Sequence, residues 1–421
     1  MLFVKPMKNK KVPAVILSAG SEIVTISIAQ ALIKHHIPII LISFGRKSIL
    51  WDIPQVLWYY QVSWPPIDSN QCAEDILNWL KNCHLSLTTI RFPVFPTDDS
   101  GLRFILEHRN AFQKVFHIPL TSRLKMCGLD KAEFFYFLKH TASKSYLVET
   151  LILNGFDSAI NAFQLLGNDV VFKPALKPLS MNLKPMDSKV ITAFNQQDSQ
   201  FSVLKKLEKA WHHSSIWIAQ KRLNVPVQGE QSWVGIRTKK KETFGLTVVE
   251  RRKYPKMGGS ACWAQSIDSS EVEIQARQIL NDLDYCGIFE ISFLLNHKNQ
   301  WVALEFNPRP WLQTGLVEAS GFPLIWTTYC DMLNMDINYE NLSIKKQVHW
   351  VNPERLILSA ISGEYGPKIP GFIHALKIIH KSEYMTIYQS QSKTMIYRWL
   401  KRMICNALDL IGKKIYANKK R

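Results

Sequence analysis

Apolar and polar positions divide the chain into stretches of different period. Residues 12–18 form a run of small and branched side chains, apolar up to Ser18, and residues 37–43 form a second, apolar up to Ser43 and with Pro38 at its start. Short continuous apolar runs predict strands buried on both faces. Between them Gly20 permits a tight turn, and Ser21 is placed to cap a helix reaching about residue 36. Further along, the pattern predicts a helix over 71–81 and a short strand over 92–95. Alternating strands and helices imply a parallel sheet covered on both faces, with ligands at the carboxyl ends of its strands.

A second pattern begins near Cys127. Residues 129–140 read as a helix with Asp130 as its cap, and residues 170–172 as a strand ending at Lys173 and Pro174. Residues 175–188 bear prolines and no apolar period, which predicts a loop, and a helix over 200–212 follows. From residue 216 the pattern turns β-rich, with strands predicted over 216–220, 230–237, 243–250 and 261–267. Ser269 and Ser270 can cap a helix reaching residue 283. Residues 287–295 and 301–306 then read as a hairpin across the polar turn Asn296, His297, Lys298, Asn299, with a helix over 322–333 beyond it. The resulting organisation is an α/β domain over 1–125, a second domain over 126–340 and an extension over 341–421.

In the extension, Leu400, Met403, Ile404, Ala407, Leu408 and Ile411 fall on one helix face. Arg398, Lys401 and Arg402 lie elsewhere, and a basic tail follows. Such a helix either docks its apolar face on the body of the protein or lies on an anionic membrane surface, and both readings stand.

Composition narrows the classes. The chain has 421 residues, 47% of them hydrophobic, enough for a core and for two or three domains. Its net charge of +18 favours anionic partners such as nucleotides, acidic metabolites or an anionic membrane. No RNA- or DNA-binding module is recognisable, so nucleic acid is not expected as a partner. Seven cysteines without a CxxC pair argue against a disulfide framework or a zinc site and for a reducing, cytoplasmic compartment. No stretch approaches the roughly 18 apolar residues that span a bilayer.

Candidate chemistry lies on the hairpin. Its second strand ends in Leu304, Glu305, Phe306, Asn307, Pro308, Arg309 and Pro310. Residues two apart on a strand share a face, so Glu305 and Asn307 point together. A carboxylate beside an amide oxygen suits Mg²⁺, which takes oxygen ligands. Arg309 could clamp a phosphate in bidentate fashion. Glu290 and Ser292 share a face of the first strand, which can bring Glu290 opposite the pair.

These residues close an ordered set of motifs. Leu129, Asp130 and Lys131 open a helix; Val170 to Pro174 and Ile218 to Arg222 end strands; Gly229 and Glu230 follow. Then come Arg251, Arg252, Lys253, Tyr254 and Pro255 with Gly258 and Gly259, and last the two hairpin strands. In this order the chain, over roughly residues 12–335, resembles the ATP-grasp superfamily. Within it the likeness is to carboxylate–amine ligases similar to D-aspartate ligase and to carbamoyl-phosphate-synthase-like proteins. The resemblance implies a fold of α/β and α+β parts: a Rossmann-like pre-ATP-grasp domain, a two-lobed ATP-grasp domain and the extension. It implies ATP and Mg²⁺ as cofactors and small carboxylate and amine substrates. Lys131 and Lys173 would contact the ATP phosphates. Gln220, Lys221 and Leu223 would belong to the linker that meets the adenine edge, and Glu230 would lie near the ribose. Glu305 and Asn307, with Glu290, would hold magnesium. Arg309 would steady the transferring phosphoryl group, and Arg252 would reach that phosphate or the substrate carboxylate. Residues 253–260, rich in glycine and charge, would form a lid. The chain departs from the pattern at Ser292, where a carboxylate or amide is usual, at Gln220, where glutamate is common, and in the glycine-free loop 175–188. These departures keep a second reading open, a non-catalytic ATP-binding protein with a degenerate metal site.

Overall fold

The computed structural model describes residues 11–401, apart from 65, 67, 84–90, 119–122, 177–190, 193–199, 212, 213, 215, 224–228, 257, 338–343, 386–392, 394 and 395. Three sheets organise them. The first contains β1 (Ala14–Ser18), β2 (Ile39–Phe44), β3 (Val56–Val62), β4 (Phe92–Pro96) and β5 (Phe116–His117) in the order β3-β2-β1-β4-β5. All four pairings are parallel. β1, β2 and β4 are buried at every position, which is why their sequences run apolar without alternation. The strand β3 escapes the sequence pattern, since on its edge only Trp58 is buried while Tyr59 and Tyr60 sit half-buried. Ser21 precedes the helix Glu22–Lys34, but its side chain makes no capping bond; its carbonyl instead accepts from the Thr25 hydroxyl at 2.9 Å.

The second sheet holds β6 (Thr150–Leu153), β7 (Val170–Pro174), β8 (Ile191–Thr192) and β9 (Trp217–Lys221), antiparallel in the order β6-β9-β7-β8. The third holds β10 (Glu230–Arg237), β11 (Thr243–Tyr254), β12 (Ser260–Ile267), β13 (Gly287–Leu295), β14 (Trp301–Asn307) and β15 (His349–Val351). It is antiparallel in the order β14-β13-β10-β11-β12-β15. β15 comes from beyond residue 340, so the extension completes the edge of this sheet.

Apolar packing joins the sheets. Ile16, Ile39 and Leu41 of the first sheet share a core with Val234, Ile236 and Ile288 of the third. Tyr384 belongs to that core and hydrogen-bonds Gln30 at 2.9 Å. The helix Lys131–Leu138 packs with the third sheet, where Phe134 stacks on Phe306. Gly128 lies under the same ring at a φ of +91°, and a Cβ there would come within 2.3 Å of Phe306. Of the amphipathic C-terminal segment only residues 396–401 are described; Arg398 pairs with Asp52, and Trp399 donates to Glu354 at 2.7 Å. The remainder, including Met403 to Ile411, lies outside the described residues. No helix among those described is long and apolar enough to cross a membrane, and all six described cysteines are free thiols.

Candidate functional site

The site begins at the hairpin. β13 and β14 pair with Glu290 opposite Asn307 and Ser292 opposite Glu305. All four therefore lie on one face, as the two-residue period requires. Asn307 donates to Glu290 at 3.0 Å. Ser292 engages the Ser232 hydroxyl at 3.0 Å across to β10. Burial pushes the Glu290 carboxyl up to about 8, although Arg309 opposes the shift; Glu250 and Glu305 add to it.

The lysines arrive from other elements. Asp130 accepts the N–H groups of Ala132 at 2.9 Å and Glu133 at 3.1 Å, fixing the start of the helix Lys131–Leu138. Lys131, its first residue, thereby lies 3.2 Å from Glu305. Lys173 projects from β7 into the same neighbourhood. Burial pulls its ammonium down to about 8; Glu305 and Glu230 oppose that, while Lys131 and Lys253 reinforce it.

Lys253, which the sequence placed in a motif and at the start of a lid, belongs to the charged site itself. It pairs with Glu230 and lies 3.1 Å from Glu250. Burial alone would lower its pKa, but the two carboxylates outweigh this and raise it. Arg252, its neighbour, has its guanidinium over the Tyr365 ring, 4.7 Å from the centroid. The cause is a bulge: the β11–β12 register shifts on both sides of Arg252 and re-aims consecutive side chains. Gln313 donates to Glu250 at 3.1 Å and adds a polar neighbour from beyond the hairpin.

Arg309 follows the end of β14. It pairs with Asp99, at the start of the helix Asp99–Glu107 next to the first sheet, and donates to Asn307 at 3.2 Å. Asp99 lies 210 residues away in sequence, too far for any local pattern to couple them. The structure thus brings Lys131, Lys173, Glu230, Glu290, Glu305, Asn307 and Arg309 into one connected cluster.

Gln220 and Lys221 end β9, and Leu223 follows it. Gln220 is turned inward, donating to Thr150 at 3.0 Å, and Lys221 is exposed. Leu223 packs at the margin of the core that contains Phe134 and Phe306. The span 253–260 covers the end of β11, the connection to β12 and its first residue; in the connection Lys256 donates its backbone N–H to Glu364 at 2.8 Å.

The fold now has counterparts among solved structures. One is N5-carboxyaminoimidazole ribonucleotide synthetase as an ADP complex, at 13% identity and a TM-score of 0.60, covering 85% of this chain and 86% of that one. The chain has the ATP-grasp fold. The N5-carboxyaminoimidazole synthetase of Staphylococcus aureus aligns at 14% identity and TM-score 0.57, over 84% of this chain and 85% of that one. The biotin carboxylase domain of Hydrogenobacter thermophilus 2-oxoglutarate carboxylase, crystallised with MgADP and bicarbonate, aligns at 12% identity and TM-score 0.60, over 81% and 74%. No family model and no curated protein matches the sequence. At these identities the ATP-grasp likeness concerns the fold.

Proposed function

We propose that this protein is an ATP- and magnesium-dependent carboxylate–amine ligase that works through an acyl phosphate. One observation carries the reading: Lys131, at the start of its helix, and Lys173, on β7 of the second sheet, both lie beside Glu305 on β14 of the third. Phosphates need cations and a magnesium ion needs carboxylates, and nucleotide chemistry needs both together. Lys173 held near 8 would regain full charge beside a triphosphate.

The donors fit magnesium. Glu290 and Glu305 offer carboxyl oxygens and Asn307 an amide oxygen, and a bound cation would favour the ionised form of Glu290 that burial opposes. Bound there, magnesium would offset the charge of the phosphates. The chain's own groups do the rest. Lys131 and Lys173 would hold the phosphates as point charges, and Arg309, braced by Asp99, would face the transferring group. A carboxylate is a poor electrophile; phosphorylation gives it a good leaving group, after which the amine attacks and phosphate departs. The nucleotide-bound neighbours support the nucleotide half of this reading. An adenine would lie by the linker that includes Gln220, Lys221 and Leu223, with Glu230 towards the ribose. Arg252, placed over Tyr365, would need a new rotamer to reach a phosphate.

A second reading has one observation in its favour. The Ser292 hydroxyl is engaged with Ser232 where a metal-binding carboxylate or amide is usual. This would make the protein a non-catalytic ATP binder.

ADP release from ATP and Mg²⁺, across a panel of carboxylates and amines, separates the two. A ligase releases ADP only with both substrates, and Lys173→Ala or Glu305→Ala lowers the rate by about a hundredfold or more. Turnover unchanged in Glu305→Ala removes the metal assignment. ATP binding without turnover on any pair favours the non-catalytic reading.

A further inference from the structure

A cavity of about 480 Å³ opens between the edge of the first sheet and the near end of β13. That volume is within the range of small-molecule sites. Its walls are apolar, with Phe95 and Phe116 on one side and Ile288 and Met332 on the other. Of the cluster described above only Arg309 reaches it; Lys131, Lys173, Glu290 and Glu305 take no part in its lining.

Its charges are of mainly one sign. Arg309 is matched by Asp99. Arg91, Lys114 and Lys239 also line the cavity and are exposed to solvent, against a single carboxylate, Asp331. Lys239 is held in place: its ammonium donates to the Met332 carbonyl and to Asn334, both at 2.9 Å, and its N–H donates to Asp331 at 3.0 Å. The imidazole of His117, also in the lining, reports the resulting field. Burial pulls it down to about 4, and Lys239 and then Arg91 push it the same way. A low-dielectric wall with cations at its rim concentrates and orients an anion.

We propose that this cavity is a binding site for a small organic dianion, a carboxylate or phosphate ester with an apolar body, adjoining the nucleotide cluster at Arg309. The cations at the rim take the charged groups, and the apolar walls take the body. Arg309 gives the site a physical link to Asn307, so its occupant is felt at the cluster.

The test is calorimetric titration of the full-length protein without ATP or Mg²⁺, so that its outcome does not depend on any ligase activity. Citrate represents polycarboxylates and O-phosphoserine represents phosphate esters; the tighter of the two names the class. Binding is expected to weaken about tenfold in the Arg91→Gln/Lys114→Gln double variant, and to weaken further as salt is raised. Both positions are exposed, so the variant should melt as the wild type does. In parallel, the His117 ring resonances should titrate at higher pH when the probe is bound, because an anion offsets the field of Lys239 and Arg91. Absence of binding by both probes, or equal affinity in the double variant, overturns the proposal.

Discussion

Glu318 accepts the backbone N–H of Ile325 at 2.8 Å, and burial pushes its carboxyl from the ordinary 4.5 up to about 7. A folded pKa above the unfolded one means that the protonated form stabilises the fold. That contribution is complete below about 4.5 and is lost as pH rises through 7. Glu318→Gln keeps the acceptor without the titration. Urea melts should show the wild type losing on the order of 2 kcal/mol relative to E318Q between pH 5 and pH 8. Parallel profiles would mean that Glu318 stays ionised in the fold. At the same scale, Arg252 and Lys253 illustrate how far neighbours can diverge. Both are basic and adjacent, yet one bulge puts Arg252 on Tyr365 and Lys253 between Glu230 and Glu250. A strand's alternation could say that the two point apart, but not which of them meets the carboxylates.

Elements position the charges. The helix Lys131–Leu138 is only eight residues long, so its start depends on the cap at Asp130. Asp130→Ala should cost about 1 kcal/mol of stability, and it should also weaken ATP binding by releasing Lys131 from Glu305. A melt lowered by that amount with ATP affinity untouched would detach the cap from the site. This helix and the hairpin were readable from sequence: Asp130 precedes an apolar period, and β13 and β14 flank a polar turn. Ser21 and Ser269 look like equally good caps, but neither side chain makes a capping bond. A residue type permits a cap; the local backbone decides whether the hydroxyl is aimed at the free N–H groups. The half-buried strands β3 and β6 gave no clean period, because edge positions tolerate polar and apolar residues alike.

The whole molecule is held by contacts between distant parts of the chain. Tyr384 sits against Gly315 so closely that a Cβ there would come within 2.1 Å of its ring. Its hydroxyl reaches Gln30 at 2.9 Å and Ser27 at 3.2 Å, tying the C-terminal part to the first helix. Tyr384→Ala should cost roughly 3–5 kcal/mol in a thermal or urea melt, while Tyr384→Phe should lose only the part due to those two bonds. An unchanged melt for Tyr384→Ala would show that the C-terminal part is not integral to the fold.

Period and order along the chain were enough for the β13–β14 hairpin and for placing Glu305 and Asn307 on one face of it. Strand alternation is a local geometric rule, so it needs no knowledge of the rest of the fold. What the chain order left open was settled by packing. The Asp99–Arg309 pair, the placing of Lys253 over Arg252, the β15 edge and the basic cavity beside His117 each join residues far apart in sequence or depend on a register shift. Such contacts are set by how sheets stack and where their ladders slip, and neither leaves a periodic mark in the sequence.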